Sequence, residues 1–355
     1  MFPHSNTFRK LHTELSGLSS SAEQVQRFLQ RTAPTESAME DSNRFFQVLS
    51  QALLLSPELS DLGGRLLQTG SSINGLALFD SGCDLMFEFT GGWNHTYDYT
   101  TTRLILVVLQ SLLYAKLGMK NAGFELFYSE PILGKINFRH AFPSTADPLL
   151  TYKAVTLTVN AYSEVVNSEF LGRVVAYDDR FRQVTLLLKY WHSLSGLSRE
   201  RSIGSYPLTL MVAFALQQTQ PPLLPPLQLI LTEYSSPPAS ENRQSIGELV
   251  VHFIRYYVDF DYEYDCICPR SAQVQSRAVL CSGDSSSLEE ETPVGAQFED
   301  AVIALEDPLE PTKNPLVDCS AEALHDFCHL LGALAKKVTP ENVVLELTRP
   351  LDQLF

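Results

Sequence analysis

Residues 66–89, LLQTGSSINGLALFDSGCDLMFEF, constrain the fold more than any other stretch. An apolar run at Leu66 and Leu67 ends in a turn of small residues, Gly70-Ser71-Ser72. A second, strand-like run follows at Asp84-Leu85-Met86-Phe87-Glu88-Phe89. A Gly-Ser turn after an apolar run frees backbone N–H groups that can hold a phosphate. An acidic residue entering the next strand can hold a magnesium ion bridging phosphates. Such turns are common in loops, so the features that follow in order decide the reading.

Spacings of three and four at Phe8, Leu11, Leu15 and Leu18 predict one or two helices over 7–31. Thr32 to Ser42 reads as a polar connector, and Asn43 to Leu55 as a helix ended by Pro57. Thr101 to Leu117 reads as an apolar helix. Strand pieces follow at 124–127, 134–138 and, alternating at period two, 154–159. Strands mixed with covering helices predict a layered domain up to about residue 160. From 164 on, the pattern is mostly helical. Gly204-Ser205-Tyr206-Pro207 opens an apolar helix that a proline-rich turn, Pro221 to Pro226, stops. Residues 282–300 are acidic and serine-rich and read as a mobile insertion.

At 355 residues, the chain has room for two cores. Its 45% hydrophobic and 19% charged content is globular. No apolar run reaches the ~18 residues a membrane helix needs, and the first fifteen residues lack the apolar core of a secretory signal. The expected location is intracellular, either mitochondrial or cytoplasmic. The six cysteines match no zinc spacing and read as free thiols. A net charge of −15 sits poorly with phosphate contacts, unless a basic groove lies inside an acidic shell. It favours a protein partner over RNA.

Taken together, these features resemble the noncanonical poly(A) polymerases and terminal uridylyltransferases among the DNA polymerase β-like nucleotidyltransferases. The resemblance covers roughly 40–335 and rests on four motifs. These are the Gly70-Ser71 turn, the Lys189-Tyr190-Trp191 run, the Ser205-Tyr206 helix with its Pro-Pro-x-Leu-Pro turn, and Glu306-Asp307-Pro308. Gly82-Cys83-Asp84-Leu85 is most similar to the mitochondrial poly(A) polymerase branch. The resemblance implies an α+β fold: a nucleotidyltransferase domain with a mixed sheet and helices on one side, then a mainly helical poly(A)-polymerase-associated domain. The expected boundaries are an N-terminal helical segment 1–40, the first domain 41–163 and the second 164–355.

The family holds two metal ions with three carboxylates. Its Asp-x-Asp pair falls on Gly82 and Asp84 without a gap, or on Asp84 and Met86 with a two-residue gap. Its third aspartate falls on Thr156, whose neutral hydroxyl cannot replace a carboxylate and which reads as an ordinary β-branched strand residue. The resemblance also implies Asn167 and Ser168 near a ribose, Lys189 near a triphosphate, Ser205 on phosphate and Tyr206 stacked on a base. Taken alone, Lys189 reads as a solvated helix lysine. The implied ligands are ATP or UTP, with Mg2+ or Mn2+ if catalysis survives. Lys313 stands where uridylyltransferases often carry the histidine that reads uracil. Three expectations follow: a catalytically impaired member acting through RNA or protein partners, an active adenylyl- or uridylyltransferase with an unusual metal site, or a homodimer or heterodimer partner supporting an active paralogue.

Overall fold

The computed structural model describes residues 5–54, 64–89, 99–113, 124–130, 135–141, 152–197, 201–232, 240–278 and 296–350. The chain opens with helices α1 (Ser5–Ser16), α2 (Ser21–Thr32) and α3 (Glu36–Leu54). Strand β1 (Gly64–Thr69), the short helix α4 (Ser71–Asn74), β2 (Cys83–Phe89) and α5 (Tyr99–Leu113) follow. Then come β3 (Phe124–Glu130), β4 (Lys135–Ala141), β5 (Tyr152–Val159), α6 (Tyr162–Tyr177), α7 (Asp179–Leu194), α8 (Ser205–Gln217) and α9 (Leu227–Thr232). The chain continues with α10 (Ile246–Val258), β6 (Asp265–Cys268), β7 (Gln273–Ser276), α11 (Ala296–Glu299), β8 (Ala304–Leu305), α12 (Ala321–Ala335) and α13 (Val343–Thr348).

Two compact units divide at 31/32 and 172/173: one is 32–172, the other joins 1–31 to 173–355. Helices α1 and α2 therefore group with the C-terminal residues rather than standing alone. Their stripes explain this grouping. Leu11, Leu15, Val25 and Phe28 are buried, Phe28 meets the Tyr190 ring edge-on at 5.2 Å, and His12 Nδ1 lies 3.4 Å from Thr348 Oγ1.

In the unit 32–172 the sheet order is β1-β2-β5-β4-β3. The β2–β5 pair is parallel and its neighbours are antiparallel, so the sheet is mixed. Period-two alternation sends Cys83, Leu85, Phe87, Val155, Leu157 and Val159 into one core with α3 and α5. Both helices thus cover the same face. The expected connector 32–42 is in part helix: Thr35 Oγ1 accepts from Ala38 N at 3.1 Å, and α3 starts at Glu36. Glutamate, alanine and methionine are good helix formers, and an exposed first turn needs no apolar stripe to announce it.

The other unit is built on α8, whose residues Pro207 to Gln217 are all buried. A helix apolar on every side belongs in the middle of a bundle. Its end is closed by Gln217, which donates to the Pro225 and Pro269 carbonyls at 2.8 and 2.9 Å. Ser245 and Glu248 form a reciprocal cap at the start of α10. A small sheet, β7-β6-β8, sits within a region that reads from sequence as helical. Cys266 and Cys268 pack in its core with Phe298, and the five described cysteines are all free thiols. Of the expected insertion 282–300, residues 282–295 lie outside the described residues, and 296–299 form α11.

Candidate functional site

The sheet face away from α3 and α5 carries the first group of candidate residues. Strand pairing sets Asp84 opposite Thr69 on β1 and Thr156 on β5, Met86 opposite Leu67 and Thr158, and Glu88 opposite Arg65. Asp84 and Thr156 are half-buried, and Met86 has no exposed surface. Adjacent strands lie about 4.8 Å apart. Thr156, the residue expected at the position of a third carboxylate, therefore lies beside Asp84. Glu88 is not a second ligand in waiting. It is buried and paired with Arg65, which holds its carboxyl below the usual carboxylate range.

The turn between β1 and β2 is tight. Gly70 has φ 72°, and a Cβ placed on it would come within 2.2 Å of Asp84 Oδ2, so the Asp84 carboxylate lies against the bare Cα. Only glycine serves there, for conformation and for space. The Gly70 N–H, expected to be offered to a phosphate, is donated to Ser168 Oγ at 2.7 Å. Ser168 is buried and donates in turn to the Glu164 carbonyl. Ser168, expected to approach a ribose, here ties α6 to the turn through its hydroxyl. Asn167 beside it is half-buried, as is Ser71 at the start of α4. Gly82 is also tight: a Cβ there would lie 2.9 Å from the Ala154 carbonyl oxygen. A carboxylate at position 82 would force β5 away.

These residues do not fit a pair of hard divalent cations. The donors in this row are one carboxylate, the hydroxyls of Thr69 and Thr156 and a thioether, which suits soft metals. Among the described residues, no three His, Cys, Asp or Glu side chains converge to hold a metal ion. Thr69 Oγ1 is buried with no hydrogen-bond partner, so the row next to Asp84 is not even fully satisfied internally. Sequence reading missed Glu164, which accepts from Thr158 Oγ1 at 2.9 Å. Only a contact between a helix and a strand reveals it.

Lys189, Ser205 and Tyr206 belong to the other unit. Lys189 is half-buried on α7 and Ser205 is exposed at the start of α8. Tyr206 is half-buried and donates to Asp307 Oδ2 at 3.1 Å. Burial, then Asp307, raises its pKa far above normal, so the phenol stays protonated. Asp307 also accepts from the amides of Leu309 and Glu310 at 2.9 and 3.3 Å. The Glu-Asp-Pro loop was visible as a motif, but the role of Asp307 in fixing Tyr206 was not. Neighbouring Glu306 is buried, and its carboxyl is pushed up to about 7 by that burial.

No protein-family model matches the chain. The human protein named poly(A) RNA polymerase GLD2 is 29% identical over 182 residues, which is 45% of this chain and 33% of GLD2. The poly(A) RNA polymerase cid11 of Schizosaccharomyces pombe is 26% identical over 239 residues, 63% of this chain and 46% of cid11. The chain thus spans a third to a half of the length of these relatives. Among solved structures, mtPAP in complex with ATPγS superposes with a TM-score of 0.75 at 16% identity, covering 97% of this chain and 75% of mtPAP. A variant of the Cid1 poly(U) polymerase bound to MgATP gives 0.65 at 18% identity, with 94% of both chains covered. The chain thus shares the polymerase β-like fold of mtPAP and Cid1 and is similar in sequence to the poly(A) RNA polymerases GLD2 and cid11.

Proposed function

We propose that this chain keeps the scaffold of an RNA 3′-terminal nucleotidyltransferase but not its two-metal chemistry, and that it acts as a partner-binding pseudoenzyme in RNA processing. The observation that carries this reading is the β2–β5 register, which sets Thr156 beside Asp84 with a buried Met86 two residues on. Nucleotidyl transfer uses metals to orient the attacking 3′ hydroxyl and to neutralise the leaving pyrophosphate. One carboxylate cannot hold two such ions. Tyr206, fixed by Asp307, is still able to stack on a base, and base–aromatic stacking is worth about 1–3 kcal/mol. ATP or UTP is therefore the candidate ligand, without turnover. The net charge of −15 favours a protein partner over bare RNA.

Incubating the purified chain with a labelled RNA primer, ATP or UTP, and Mg2+ or Mn2+ tests the reading. The expected result is no extension above buffer, with ATP or UTP still raising the melting temperature of the chain and Tyr206→Ala removing that rise. Extension that disappears in Asp84→Ala would establish the other reading, an active transferase with an unusual metal site.

A further inference from the structure

In the unit formed by 1–31 and 173–355, a groove of about 620 Å³ runs along α10 beside the β6–β7 hairpin. Beside Val251, Val274 and His252, whose ring lies 5.9 Å from Tyr256, its walls carry two kinds of group. One is aromatic: Tyr256 and Phe260. The Tyr256 ring is held by neighbours on several sides, with centroids 5.3 Å from Tyr257 and 6.0 Å from both Phe214 and Phe260. The other is anionic: Glu248, Asp259, Asp261 and Asp265 against a single guanidinium, Arg255.

Two of those carboxylates are already committed. Glu248 caps α10, and Asp261 Oδ1 accepts from the amides of Glu263 and Tyr264 at 3.1 and 3.2 Å. The Asp259 and Asp265 carboxylates make no hydrogen bond or ion pair with the described residues. Asp265 lies close enough to Tyr256 that, after burial, it helps push the phenol pKa up to about 12. A preformed aromatic wall next to two such carboxylates is complementary to a cation with a flat face.

We propose that this groove binds an arginine side chain presented by a peptide segment of a protein partner. The guanidinium stacks on Tyr256 and forks to Asp259 or Asp265. Arginine suits the site better than lysine because its planar fork stacks and bonds bidentately, whereas an ammonium is a strongly hydrated point charge. RNA suits it poorly, since its phosphates would face three net negative charges. The proposal supplies the partner chemistry for the pseudoenzyme reading, on which it rests for its role. It fails separately, because peptide binding is measured without primer or nucleotide.

The probe is a fluorescein-labelled glycine–arginine repeat peptide titrated with the full chain and followed by anisotropy at physiological ionic strength. Asp259→Asn/Asp265→Asn is compared with Glu36→Gln/Glu40→Gln, which removes the same charge from exposed positions on α3. The groove pair is expected to weaken binding about tenfold or more, and the α3 pair by less than about twofold. The matching glycine–lysine peptide is expected to bind more weakly than the arginine peptide. The proposal is overturned by equal weakening from the two pairs, by no saturable binding, or by an oligouridylate that binds more tightly than the peptide and loses affinity with the groove pair.

Discussion

Gly247→Ala is expected to destabilise the unit containing α10 by about 3 kcal/mol, lowering its melting temperature by on the order of 10 °C. Gly247 is the second residue of α10 and is buried. A Cβ there would lie 2.0 Å from the Pro340 carbonyl oxygen and 2.8 Å from its carbon. Those are backbone atoms, so no rotamer relieves the clash, and the segment leading into α13 must lift off α10. Gly332 in α12 is the contrast, because nothing lies within 4 Å of the Cβ it lacks. Gly332→Ala is expected to stabilise by up to about 1 kcal/mol, since alanine loses less backbone entropy in a helix. Thermal melts of both variants check the pair. Equal and small effects would show that the Pro340 backbone does not rest on α10.

Met86→Asp is expected to cost about 3 kcal/mol or more, whereas Thr156→Asp stays within about 1 kcal/mol of the unsubstituted chain. The two positions sit in the same row but differ in surroundings. Met86 has no exposed surface and faces Leu67 and Thr158 across its strands. A carboxyl there loses its water and becomes hard to ionise. Thr156 is half-buried, and its cost is repulsion from Asp84 alongside. Placing carboxylates at both 86 and 156 is therefore not a matter of two tolerated substitutions, because position 86 leaves no water for one. Denaturant unfolding of each variant measures the difference. A Met86→Asp chain as stable as the starting protein would mean that this row still opens to water.

How much of this was legible beforehand follows from the length and regularity of each element. The strand over 152–159 announced itself by period-two alternation within 154–159, β2 by an apolar strand-like run over 84–89, and α8 by an apolar run ended by prolines. The three strands β6, β7 and β8 are four residues or fewer, too short to show a period, and so their region read as helix. Cys266-x-Cys268 fitted no metal spacing because its role is packing. At the candidate site, Gly82, Met86 and Thr156 were legible as positions without a carboxylate. The pairing of Gly70 with Ser168 and of Tyr206 with Asp307 was not, since each joins positions about a hundred residues apart. The turn itself looked ready for phosphate, and only the fold reveals that the Gly70 amide is already used.

The most direct test of the proposed loss of two-metal chemistry is a count of bound Mn2+ by electron paramagnetic resonance, with the chain saturated by a non-hydrolysable ATP analogue. The expected result is no more than the one Mn2+ that the bound triphosphate itself carries, unchanged in Asp84→Asn. Two Mn2+ per chain, lost when Asp84 is neutralised, would contradict the account.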